Sequence, residues 1–87
     1  MSLSCDVNVL LHASDAASPV HEKATHFLER AATAGDLLCL GFPTVMSYLR
    51  IATHPRIFAH PLTPAEASAN IQALAELPHV RLLSEVA

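Results

Sequence analysis

Glycine is scarce in this sequence, with Gly35 and Gly41 the only two. Loops that cradle phosphate need several glycines so that backbone amides can converge on the anion, so a Gly-rich nucleotide-binding loop is disfavoured. Aromatic residues are also few: Tyr48, Phe27, Phe42 and Phe58 are all of them. The core must be assembled from Leu, Val, Ile and Ala, and 52% apolar residues in a chain of 87 are enough for one small domain. Neither sign of charge dominates. Five Lys and Arg are interspersed with eight Asp and Glu for a net charge of −3, which argues against a basic nucleic-acid footprint and against an acidic tail. Two cysteines are too few for a disulfide framework. Cys5 and Cys39 each lie in an apolar run and read as buried thiols acting as small hydrophobes, the other possibility being a disulfide between neighbouring strands. No apolar stretch approaches the ~20 residues that cross a bilayer, and no basic region followed by an apolar segment marks a signal peptide. The expectation is a soluble, cytoplasmic chain without membrane contact. Repeats, low-complexity tracts and flexible linkers are absent as well.

Among the residues present, Asp6 carries the most information. It lies in the apolar run Leu3-Ser4-Cys5-Asp6-Val7-Asn8-Val9-Leu10-Leu11. Burying a carboxylate among such neighbours is costly unless it is paired, hydrogen-bonded or bound to a cation. Read as a strand, the run ends in a polar cluster of Asp6, Asn8 and His12, at the carboxyl end where open parallel sheets bind ligands. The alternative is an Asp that caps a helix or sits at a frayed strand edge.

Residues 3–11 are expected to form a buried strand, followed by a polar turn from His12 to Ser18. Ser18 and Pro19 suit the cap and first position of a helix whose apolar face is Val20, Ala24, Phe27, Leu28 and Ala31, with Gly35 ending it. Leu37 to Leu40 reads as a second strand, broken by Gly41-Phe42-Pro43. A helix follows from Thr44 to about Ala52, then an irregular segment over 53–62. Thr63-Pro64-Ala65-Glu66 is a capping box with proline in the first turn. Its helix is expected to reach about Glu76, with Ala67, Ile71, Leu74 and Ala75 facing inward and Pro78 stopping it. Val80 to Leu83 completes the order β, α, β, α, α, β. Such alternation favours a parallel sheet with helices covering its faces.

Five segments in colinear order resemble PIN-domain ribonucleases, and within them the VapC toxins of bacterial toxin–antitoxin pairs. They are Asp6-Val7-Asn8-Val9-Leu10-Leu11; Ser18-Pro19-Val20-His21-Glu22-Lys23-Ala24; Tyr48-Leu49-Arg50-Ile51-Ala52-Thr53-His54-Pro55-Arg56-Ile57-Phe58; Pro61-Leu62-Thr63-Pro64-Ala65-Glu66-Ala67; and Leu77-Pro78-His79-Val80-Arg81. The resemblance implies an α/β/α sandwich on a parallel sheet of four or five strands. It implies an endoribonuclease that uses Mg2+ (or Mn2+) to cleave RNA and is held silent by a VapB-type antitoxin. Asp6 stands at the position of the family's metal-binding first-strand Asp. Asn8 matches a polar residue beside the site, where it would orient Asp6 or a metal-bound water.

Two departures qualify this resemblance. Ser47 occupies a place where many PIN domains carry an acid. The family also continues for roughly another third of the domain, which supplies further metal-binding carboxylates, so residues 1–87 are expected to form a PIN-like domain incomplete at its C-terminus. That leaves two readings. One is a metal-dependent endoribonuclease toxin, weak or inactive in isolation; the other is a non-catalytic PIN remnant that binds an antitoxin or itself. With the missing strands on one flank of the first strand, that flank would be an open apolar edge, which predicts a homo-oligomer or capture of a partner segment there. A small α/β domain that binds phosphate is disfavoured by the lack of a Gly-rich loop.

Other candidates are weaker. Magnesium is usually held by one or two carboxylates plus waters and substrate phosphate, and Asp6 is the one acid placed by resemblance. Asp15 either approaches the mouth of the site or serves the turn. Glu22 and Glu29 read as a solvated helix face. The six histidines show no zinc-like spacing. Arg50, His54 and Arg56 either approach RNA phosphate or belong to a solvent-facing loop.

Overall fold

A computed structural model describes residues 2–58 and 60–83. Its elements are β1 (Ser2–Ser4), α1 (Val7–Ala13), α2 (His21–Ala34), β2 (Leu37–Gly41), α3 (Phe42–Ala52), α4 (Pro64–Ala75) and β3 (Val80–Leu83). The strands form one parallel sheet in the order β1-β2-β3. The α/β class and the parallel sheet are as expected.

The first element is not. The run expected as one strand over 3–11 is a strand of three residues followed by a helix of seven. A short apolar run satisfies both periodicities, and here the helical one wins. Val7, Leu10 and Leu11 fall at i, i+3 and i+4, and α1 buries Leu10 and Leu11. The helix expected from Pro19 begins at His21 instead. Ser18 and Pro19 lie in the turn before it, where the Ser18 carbonyl accepts from His21 N at 3.1 Å. The third helix starts at Phe42, two residues ahead of Thr44, with Gly41 in its extended N-cap position and Pro43 in the first turn, where proline costs no hydrogen bond. Thus Gly41-Phe42-Pro43 both ends β2 and opens α3.

Three local signals act as expected. Gly35 closes α2 at φ 75°, a left-handed conformation that side chains with a Cβ rarely adopt. Thr63 Oγ1 accepts from Glu66 N at 3.1 Å, while Glu66 Oε1 accepts from Thr63 N at 2.8 Å, completing the capping box. Leu38 and Leu40 alternate with less buried neighbours along β2.

The register assigns the faces of the sheet. Leu3, Leu38 and Val80 are paired across the three strands, as are Leu40 and Leu82. With Cys5, all of these but the half-exposed Leu82 join a core containing Leu10 and Leu11 of α1, Val45, Tyr48 and Ala52 of α3, and Ala67 and Ile71 of α4. The opposite face carries exposed Ser4 and Arg81 with Leu37 and Leu83, 39% and 51% exposed. The cause is topological. Both crossovers step the same way across the sheet, and right-handed crossovers in one direction put their helices on one face. The described residues therefore form the sheet and one helical layer of the expected sandwich, within a body 18 Å across its shortest axis. Ser4 pairs with Cys39, so Cys39 and Cys5 point to opposite faces, which rules out a disulfide between them; both are free.

The capping box supports a first prediction. Its hydrogen bonds hold the Glu66 carboxyl below its ordinary value of 4.5. A depressed folded value means that the box contributes above the unfolded value, and that this is lost as pH falls through the folded one. Thr63→Ala should lower unfolding stability by about 1 kcal/mol at neutral pH in urea titrations, and Glu66→Gln should flatten the pH dependence below 4.5.

Candidate functional site

Asp6 follows the end of β1 and is the N-cap residue of α1, with φ −77° and ψ 150°. It is exposed. The expectation of a carboxylate buried within a strand is therefore corrected, and the desolvation cost that singled it out does not arise. Its position at the carboxyl edge of the sheet does hold. Asp6 stands two residues past Ser4, and Gly41 two past Cys39, the strand partner of Ser4. The start of α3 thus lies beside the start of α1, and Phe42 and Met46 there are 53% and 55% exposed.

The Asp6 side chain makes no capping bond to α1. Its Oδ2 instead accepts from Asn8 Nδ2 at 3.2 Å. This bond links the Asn8 side chain to a carboxylate that stays exposed. The neighbouring Cys5 feels this charge. Burial, and secondarily the Asp6 carboxylate, push its thiol up to about 11.

The structure does not bring the other polar candidates to Asp6. His12 lies in the last turn of α1, about 9 Å further along the helix by rise. Its Nδ1 pairs with Ser18 Oγ at 2.8 Å, and its carbonyl oxygen lies 2.9 Å from His21 Nδ1. Asp15 is a turn residue: its Oδ1 accepts from Ala17 N at 3.1 Å and lies 3.5 Å from His60 Nδ1. Glu22 and Glu29 are exposed on α2, as expected of a solvated face. Arg50 is exposed in the last turn of α3, about 13 Å from Gly41 by helical rise. Beyond α3, His54 Nδ1 accepts from Arg56 N at 3.1 Å. Among the described residues, no three His, Cys, Asp or Glu side chains gather as a metal site.

A polar chain that sequence reasoning missed runs through the helical layer. Ser14 Oγ donates to the Leu10 carbonyl at 2.9 Å, which leaves the oxygen to accept from Tyr48 Oη at 2.6 Å. Tyr48 Oη in turn accepts from Asn70 Nδ2 at 3.1 Å. Three helices are thereby pinned through one phenol on a residue only 1% exposed. The signal was available, since a tyrosine at a core position needs a hydrogen-bond partner.

No protein-family model matches the chain. Among curated proteins, ribonuclease VapC48 of Mycobacterium tuberculosis is 42% identical over 85 residues, covering 98% of this chain and 59% of the relative. Ribonuclease VapC33 of the same organism is 33% identical over 79 residues, covering 91% of this chain and 55% of the relative. By sequence, this chain is a member of the VapC family. Ribonuclease VapC31 of M. tuberculosis, 36% identical over 74 residues, is a third relative, with 85% of this chain and 52% of that one aligned. The chain spans between half and three-fifths of the length of these VapC relatives. Membership in the VapC family implies a PIN domain, and the parallel sheet with Asp6 at its carboxyl edge is consistent with one.

Two outcomes follow from this geometry. Cys5 should resist thiol reagents at pH 8 in the folded protein and label only on unfolding, whereas half-buried Cys39 should label first, read by mass spectrometry. Tyr48→Phe should cost about 1–2 kcal/mol in chemical denaturation, because Ser14 and Asn70 both lose their shared partner.

Proposed function

We propose that this chain carries the Asp6 portion of a toxin of the VapC type, a metal-dependent endoribonuclease acting on RNA phosphodiester bonds. The observation that carries the reading is a solvent-directed carboxylate at the carboxyl edge of a parallel sheet, steadied by Asn8, in a chain 42% identical to a ribonuclease over nearly its whole length. The ribonuclease names of the VapC relatives support the reaction class, and the family resemblance supports Mg2+ (or Mn2+) as the ion.

The donor set fits one ligand position of a hydrated magnesium ion. An exposed carboxylate oxygen is a hard donor, and magnesium keeps most of its waters when bound by one or two carboxylates. Such an ion would supply activation of water and stabilisation of charge on the scissile phosphate. Asp6 would hold it, and Asn8 would fix the Asp6 rotamer. Arg50, His54 and Arg56 would contact RNA phosphates remote from the point of cleavage, since α3 separates them from Asp6. A single protein ligand holds the ion weakly, so the isolated chain should cleave slowly. The reading extends to a VapB-type antitoxin as the silencing partner and to a cytoplasmic location.

The second reading, a non-catalytic module that binds an antitoxin or itself, draws on the same observation that no three potential ligands gather among the described residues. One assay separates the two. Cleavage of a structured RNA should require added Mg2+ or Mn2+, and Asp6→Ala should reduce it by about 10²-fold or more while leaving circular dichroism unchanged. Cleavage indifferent to the ion or to Asp6 would refute the mechanism, and no cleavage by the intact chain would favour the binding module.

A further inference from the structure

Three residues of α3 form one exposed ridge at helical spacing: Phe42, Met46 and Arg50. Phe42 and Met46 are 53% and 55% exposed, whereas the buried stripe of the same helix is Val45, Tyr48 and Ala52. The ridge starts at the Asp6 edge. Cys5 N donates to Cys39 O at 3.3 Å, so the pairing of β1 with β2 continues one residue past β1, and Asp6 stands opposite Gly41 at about one strand spacing. Phe42 is the next residue, which places its Cα within about 9 Å of that of Asp6, the scale of one nucleotide. From Phe42 the ridge rises about 12 Å to Arg50, the length of three to four stacked nucleotides at ~3.4 Å each. Arg50 has no side-chain partner among the described residues. The surrounding stretch is free of acids: none of the eight Asp and Glu residues lies between Asp36 and Glu66, where Arg50 and Arg56 are.

We infer that this ridge is the base platform of the Asp6 site: an unpaired RNA base stacks on the Phe42 ring, Met46 flanks it, and Arg50 takes a phosphate further along the same strand. The inference rests on the nuclease reading and gives it a specificity-determining residue, Phe42. Three observations favour a nucleotide over a protein segment as the occupant. An aromatic face beside the proposed metal ligand is where the base next to a bound phosphate falls. The ridge is apolar at its Asp6 end and cationic at the other, and single strands are held in that way, bases on aromatic side chains and backbone on basic ones. The acid-free stretch around it spares the phosphates repulsion in a chain whose net charge is −3. A base inside a duplex has both faces covered by its neighbours, so the platform takes unpaired segments only.

Binding without divalent ions tests the platform apart from cleavage. The probes are a fluorescein-labelled single-stranded RNA of mixed sequence and the same strand annealed to its complement, titrated with the intact chain in EDTA and read by anisotropy. Phe42→Ala should weaken binding of the single strand about tenfold while leaving binding of the duplex unchanged. Arg50→Ala should weaken both and reduce the salt slope by about one. The sequence has no tryptophan, so Phe42→Trp introduces a single emitter. It should restore the affinity lost in Phe42→Ala, and its emission should be quenched by the single strand and not by the duplex. Both Phe42 variants should keep native circular dichroism, since the side chain is exposed. Single-strand binding indifferent to Phe42→Ala, unchanged emission, or no binding of RNA by the wild type would each overturn the inference. So would a loss of self-association in Phe42→Ala with RNA binding intact, the mark of a ridge that faces protein. Cleavage independent of the ion or of Asp6 would instead refute the nuclease reading without touching the binding results.

Discussion

The inner row of the central strand is the constraint on which the rest depends. Leu38 and Leu40 have no solvent exposure, and burying a leucine side chain contributes roughly 1.5–3 kcal/mol. Their face of β2 must be covered, and α1, α3 and α4 do so through Leu10, Leu11, Val45, Tyr48, Ala52, Ala67 and Ile71. Because β2 is parallel to both neighbours, each link must travel back over the sheet, and each becomes a helical pair. The same requirement sets the carboxyl ends of all three strands along one edge. Asp6 and the Gly41–Phe42 turn therefore share that edge by topology, although 35 residues separate Asp6 from Gly41 in the chain.

Legibility of the sequence varied with how many forces acted at each place. Where one local force dominates, the residues read directly. Thr63-Pro64-Ala65-Glu66 could only cap a helix, and Gly35 only end one, because in each case the hydrogen bonds or the left-handed backbone need nothing from elsewhere in the fold. Val80–Leu83 is likewise legible as a strand, set off from the preceding helix by Pro78. The run from Leu3 to Leu11 was not. Its residues are apolar enough for a buried strand, yet Val7, Leu10 and Leu11 also make a helical stripe, and the choice depends on which surface is present to receive them. The receiving surface is α2 and α3, which no local pattern announces. Asp6 is the punctuation between that strand and that helix.

That correction changes what supports the site. A buried carboxylate would have argued for a cation by its own desolvation. An exposed Asp6 carries no such demand, and its standing rests on place and kinship: the carboxyl edge of a parallel sheet, the Asn8 bond that keeps the side chain off the helix cap, and similarity to VapC ribonucleases. Exposure also suits the task. A magnesium ion retains most of its water, so its ligand must face solvent rather than a dry core. Cys5 shows the boundary between the two environments, its thiol buried and held protonated one residue before a carboxylate in water. Arg50, His54 and Arg56 are not part of this edge, because α3 rises about 1.5 Å per residue and carries Arg50 towards its far end.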